Sequence, residues 1–242
     1  MKQLASLLPR NEQIKRAAFA SQFAQEARRF LAIYTIFTPE QQRQLVQEDV
    51  RTRFSDVDQQ LVDTLYAQTG GLDDSLSRLL YIDARMNLSD DLLLFNDKMS
   101  MANSLEMRVP YLDIELVAFL ESLPSHMKIR GRSGKWIHKQ AVRKWLPDEI
   151  IFRKKRGFAT PMDQWLQTDL ARTAQAFFNR PESAASKFFN LEFVNRIIAD
   201  HQSRRHNYQR HIFLLLSFEL WYQTFFERRQ IDSALLYDCG AR

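Results

Sequence analysis

The residues able to do chemistry sit in short clusters along the chain. Arg153-Lys154-Lys155-Arg156-Gly157-Phe158 is a basic run; from charge alone it reads as a solvated loop. Ser89-Asp90-Asp91 reads as a helix cap followed by two first-turn carboxylates, which suit the helix dipole. Glu106 and Arg108 flank Met107, and a strand-like spacing of two puts both on one face, where Arg108 can fork onto a carboxylate. We expect a buried Glu–Arg network there, positioning the loop that ends at Asp113. In Thr69-Gly70-Gly71-Leu72-Asp73-Asp74-Ser75 the glycines could let backbone N–H groups cradle a phosphate. Such a loop should leave a buried strand, but Leu61 to Gln68 reads as a polar amphipathic helix, and no later run reads as parallel strands. The segment is therefore read as a helix-ending turn. Lys135 could reach a phosphate at a helix N-terminus, but reads as an exposed lysine. His201, His206 and His211 are five apart, which turns each by about 140° on a helix, so they share no face. No His, Asp or Glu shows zinc-ligand spacing, and no metal site is expected. The histidines, with His126 and His138, read as surface or satisfied core residues, and Met99, Met101 and Met107 as core filler.

The elements that must position these residues are helical. A run from about Asn11 to Leu31 places Ala20, Phe23, Ala24, Ala27 and Leu31 on one stripe. Thr38-Pro39-Glu40 and Ser55-Asp56 are helix starts. Leu92, Phe95, Met99 and Ala102 recur at helical spacing after Ser89. Val109 is held extended by Pro110, and Asp113 caps a helix running to Pro124. Ser133-Gly134 starts another helix. Thr160-Pro161-Met162-Asp163 combines proline at the first helical position with a Thr-x-x-Asp cap. Helices near 190–202 and 205–229 close the chain.

Composition agrees with that pattern. The chain has 242 residues and only six glycines, about 2.5% against roughly 7% in average proteins. Glycine supplies the positive-φ positions of tight turns and phosphate loops, so a sandwich, a barrel or a complete nucleotide-binding α/β domain is excluded in favour of an all-α chain. Eighteen Phe, seven Tyr and four Trp exclude global disorder. The net charge of +5 permits acidic partners without requiring them. The single cysteine, Cys239, allows no internal disulfide and points to a reducing, cytoplasmic compartment. No stretch reaches the length of a membrane span, and no membrane partner is expected.

The ordered blocks Leu79 to Asp83, Leu88 to Leu93, Asp97 to Ala102, Ser104 to Asp113, Leu146 to Ile150 and Arg153 to Pro161 resemble the C-terminal part of the synthetase domain of glutamine-dependent asparagine synthetases. The resemblance is close over about 72–166 and loose over the helical flanks. It implies ATP-dependent adenylation of the aspartate side chain, followed by attack of glutamine-derived ammonia to give asparagine. It also implies a fold: the all-α half of a domain whose other half is an α/β ATP pyrophosphatase, here without its parallel sheet. Residues 1–242 would be one domain, with a helical part to 70, family core motifs over 71–166 and C-terminal helices over 167–242.

Lys155 takes the position of the family's active-site lysine, with Lys154 as the alternative frame; an ammonium there can stabilise charge on the acyl intermediate and on pyrophosphate. Asp91, with Asp90 beside it, stands near the family's acidic residue. Asp97, Glu106, Arg108 and Arg153 are implied on the substrate and intermediate side. The family departs from this sequence in two ways. No N-terminal nucleophilic cysteine is present, and the pyrophosphatase loop is represented only by the Gly70-Gly71 turn, which we read as a decoy. ATP and Mg2+ are implied, but their main binding loops are not expected here. A protein partner carrying the glutaminase and pyrophosphatase parts is expected, the chain alone being inactive, a truncated or split form. The rival reading is a basic all-α module binding nucleic acid or acting as an adaptor. It rests on Arg28-Arg29, Arg153 to Arg156, Arg204-Arg205 and Arg228-Arg229, which are dispersed and lack a helix-turn-helix pattern, so nucleic acid is not the expected partner.

Overall fold

The computed structural model describes residues 17–54, 56–154 and 160–228. They fall into two compact units. One takes the described residues up to 58 and from 160 onward, the other 59–154. Among the described residues the only sheet is an antiparallel hairpin of two-residue strands, Ile129–Arg130 and Ser133–Gly134. The fold is otherwise helical, as the glycine-poor composition requires.

The first unit opens with α1 (Glu26–Tyr34), α2 (Pro39–Leu45) and α3 (Glu48–Arg53). The expected run through Leu31 is interrupted over 21–25. There the Arg29 guanidinium donates to the carbonyls of Ala24 and Phe23, at 2.8 and 3.2 Å. At α2 the expected start is realised as a reciprocal cap. The Thr38 hydroxyl accepts from Gln41 N, and Thr38 N donates to the Gln41 side chain. Helix α4 (Val57–Ala67) spans the unit boundary; it buries Val62 while Leu61 stays exposed.

The second unit holds α5 (Ser75–Asp83), α6 (Leu94–Met101), α7 (Ile114–Ser122) and α8 (Trp136–Ala141). Between α5 and α6, residues Ala84–Leu93 form a π-helical segment. Three side chains there turn back four residues: Arg85 to the Tyr81 carbonyl, Asn87 to the Asp83 carboxylate and Ser89 to the Arg85 carbonyl. Such local bonds compete with the regular ladder. Ser89 is therefore not a cap, because it lies inside one helical run from Ser75 to Met101. Asp113 does cap α7, accepting from Leu116 N at 3.0 Å. Ser133 and Gly134 are strand residues rather than a helix start, and Lys135, at φ 56°, turns the chain into α8.

The first unit resumes with a single turn over Met162–Trp165, then α9 (Asp169–Phe178), α10 (Ala184–Phe188), α11 (Leu191–Gln202) and α12 (Gln209–Phe225). The Thr160 cap is absent: Pro161 precedes the turn, and no side chain caps it. Helix α11 buries Phe193, Val194, Ile197, Ile198 and His201, a helical stripe. The four apolar ones join Phe37, Leu45, Leu166, Phe178, Ile212 and Leu215 in one hydrophobic core. Backbone bonds from Gln47 N to Phe188 O and from Asn190 N to Leu45 O tie the early chain to the late helices.

Candidate functional site

The motif-bearing residues all belong to the second unit or to the segment that follows it. Asp90 and Asp91 lie exposed on the π-helical segment, where Asp90 accepts from the Ser89 hydroxyl at 3.0 Å. Asp97 is exposed in the first turn of α6. Glu106 and Arg108 do meet, at 2.9 Å, but the pair is in solvent, with side chains 67% and 83% exposed. The expected buried network is thus an open ion pair, since the chain over 105–109 packs under nothing. Arg153 and Lys154 are exposed after a short turn over Asp148–Ile151. Lys155 lies outside the described residues. Among the described residues, no hydrogen bond or ion pair joins Asp91, Asp97 and Arg153 to one another or to the Glu106–Arg108 pair.

The scaffold leading to the basic run was not legible in sequence. Arg143 forks onto Asp148, at 3.3 and 3.2 Å, across the Leu146-Pro147 break. Phe152 then seats between Lys139 and Arg143, whose cations lie 5.7 and 5.4 Å from its ring centroid. Lys139 also donates to the Ser133 hydroxyl at 3.1 Å. The residues just before Arg153 and Lys154 are therefore held to α8 and the turn that follows it by a fork and two cation–π contacts. No spacing rule links an arginine to an acid five residues on through a proline break.

The Gly70-Gly71 segment is a turn, as read. Thr69 is buried, its hydroxyl donates to Tyr66 O at 2.6 Å, and Leu72 N donates to Thr69 O. Asp74 is committed to α5, accepting from Ser77 N and from the Ser125 hydroxyl at 2.5 Å. The Leu72 amide and the Asp74 carboxylate are thus engaged inside the fold. Among the described residues, no cluster of three His, Cys, Asp or Glu side chains could hold a metal ion, and no helix is long and apolar enough to cross a membrane.

Residues 2–223 match the Asparagine synthase family. The chain belongs to that family. Two family relatives are the glutamine-hydrolysing asparagine synthetase 1 of Bacillus subtilis, 27% identical over 172 residues, and the putative asparagine synthetase of Mycobacterium tuberculosis H37Rv, 33% identical over 164. These alignments cover 71% and 67% of this chain but 27% and 25% of the relatives. The chain thus spans about a quarter of the length of the curated family members it matches. No solved structure matches it.

Proposed function

We propose that the chain is the C-terminal part of an ATP-dependent amidotransferase of the asparagine synthetase type. It would act with a polypeptide that supplies the glutaminase and ATP pyrophosphatase parts. The family match over residues 2–223 carries this reading. It runs through both units, which supports taking residues 1–242 as one domain and the fold as the all-α half of the synthetase. The overall reaction is amidation of the aspartate carboxylate through an acyl-adenylate, with ammonia drawn from glutamine. ATP and Mg2+ would be held mainly by loops outside this chain. A cytoplasmic location suits such metabolism.

Lys155 is the proposed charge-stabilising residue, with Lys154 as the alternative. An ammonium at the end of the anchored Asp148–Phe152 segment can meet negative charge developing on bound anions. Asp91, or Asp90, would orient substrate or that lysine; Asp97, Glu106, Arg108 and Arg153 would face the substrate and the intermediate. The test is AMP formation from ATP, dependent on aspartate and ammonia, by the chain co-expressed with the completing polypeptide. Lys155→Ala should lower the rate about 100-fold and Lys154→Ala far less. Equal rates for wild type and Lys155→Ala would remove Lys155 from the reaction.

A further inference from the structure

The second unit wears its apolar side chains on the outside. Among its described residues only Val62, Thr69 and Ile82 are buried, whereas Ile114 is 84%, Trp145 68% and Tyr111 66% exposed. Apolar surface on this scale marks a contact site rather than a solvated face. It is bordered by positive charge. Residues 128–154 hold nine Lys and Arg against only Asp148 and Glu149, an excess larger than the +5 of the whole chain. Among the described residues, only Arg143 of these nine enters an ion pair. Two of the others lie against aromatic rings: Lys144 is 4.3 Å from the Trp145 ring and Arg130 is 5.0 Å from that of Trp136. Tyr111 meets His138 of α8 edge-on at 5.6 Å, which joins the turn before Ile114 to this basic substructure.

We propose that this face docks a polypeptide whose opposing surface is acidic, with Tyr111, Ile114 and Trp145 as apolar anchors and Arg130, Arg132 and Lys144 as the steering rim. The inference rests on the reading that a second polypeptide completes the synthetase, and it adds where that polypeptide binds and what charge it carries. An apolar centre with a charged rim is the anatomy of a protein interface, the rim setting encounter rate and partner choice. A second copy of this chain would set like charges against each other. A nucleic-acid strand would use the rings, but a protruding isoleucine gives it no stacking surface.

Lysine acylation read by mass spectrometry tests this on the full chain, in intact source cells and after purification in about 0.5 M salt, where exposed charge is screened. Lys144 should be acylated roughly tenfold less in cells than in the purified chain, while Lys187 in the first unit should not change. The protection should survive nuclease and detergent. It should disappear in Arg130→Glu/Arg132→Glu and, independently, in Ile114→Ser, each checked for unchanged helical circular dichroism. Equal acylation in both states overturns the proposal. So does protection removed by nuclease, which would indicate nucleic acid, or by detergent, which would indicate a membrane. Protection without AMP formation sinks only the reaction; AMP formation without protection sinks only the docking face.

Discussion

Asp74 accepts at one oxygen from both the Ser125 hydroxyl and the Ser77 amide. These bonds, the Ser125 hydroxyl foremost, hold its carboxyl well below the ordinary 3.8. A depressed folded value means that the unfolded chain binds the proton more readily. The resulting stabilisation is present above the unfolded value and fades as pH falls through the carboxylate range. Ser125→Ala should therefore flatten the fall in urea midpoint between pH 7 and about pH 3; parallel curves for the two proteins would refute the link. At this scale the sequence was legible where the partner is local. Thr38 and Asp113 are caps because their targets lie three residues on. Ser89 had the same local signature but sits inside a helix, since nothing stops α5 from continuing through it. Glu106 and Arg108 paired as their spacing required, yet their burial depended on neighbours that spacing does not reveal.

Helices are joined in the first unit by polar groups that no periodicity discloses. Glu219 of α12 is fully buried, and its two oxygens accept from the amides of Ala184 and Ala185, at 3.1 and 2.9 Å. Gln223 adds a third donor at 2.7 Å. These are the free amides at the start of α10, so the carboxylate satisfies a helix end from another helix. Glu219→Ala leaves buried donors unpaired and a void, and should cost about 2–4 kcal/mol. Urea unfolding with an unchanged m-value checks this; a loss within about 0.5 kcal/mol, the range of surface substitutions, would refute it. His201 works similarly: its Nδ1 accepts from Tyr208 N at 3.2 Å, leaving Nε2 to donate to Asp163 O at 3.3 Å. It is a satisfied core histidine, as its isolation from other ligand-type residues indicated. The existence of α11 and α12 followed from their apolar spacing, whereas Glu219 looked like an ordinary charge on a helix.

Across the whole molecule the two units differ in how much they bury. The first has a continuous core of Phe178, Ile197, Ile198, Ile212 and their neighbours; the second has almost none. Burial sets the free energy of local opening. Amides of α9, α11 and α12 should therefore exchange with deuterium at least about 100-fold more slowly than those of α6 and α8 in the isolated chain; uniform protection would contradict this. The helical class, the helix starts at Thr38 and Asp113 and the family were determined by the sequence alone, because caps, glycine scarcity and ordered motif blocks act through neighbours along the chain. Which apolar residues found a core was decided only in three dimensions. Leu92, Phe95 and Met99 have the same helical spacing as Val194, Ile197 and His201, but only the second set is buried against helices from distant parts of the chain. Periodicity specifies a face, and burial requires another face to lie against it.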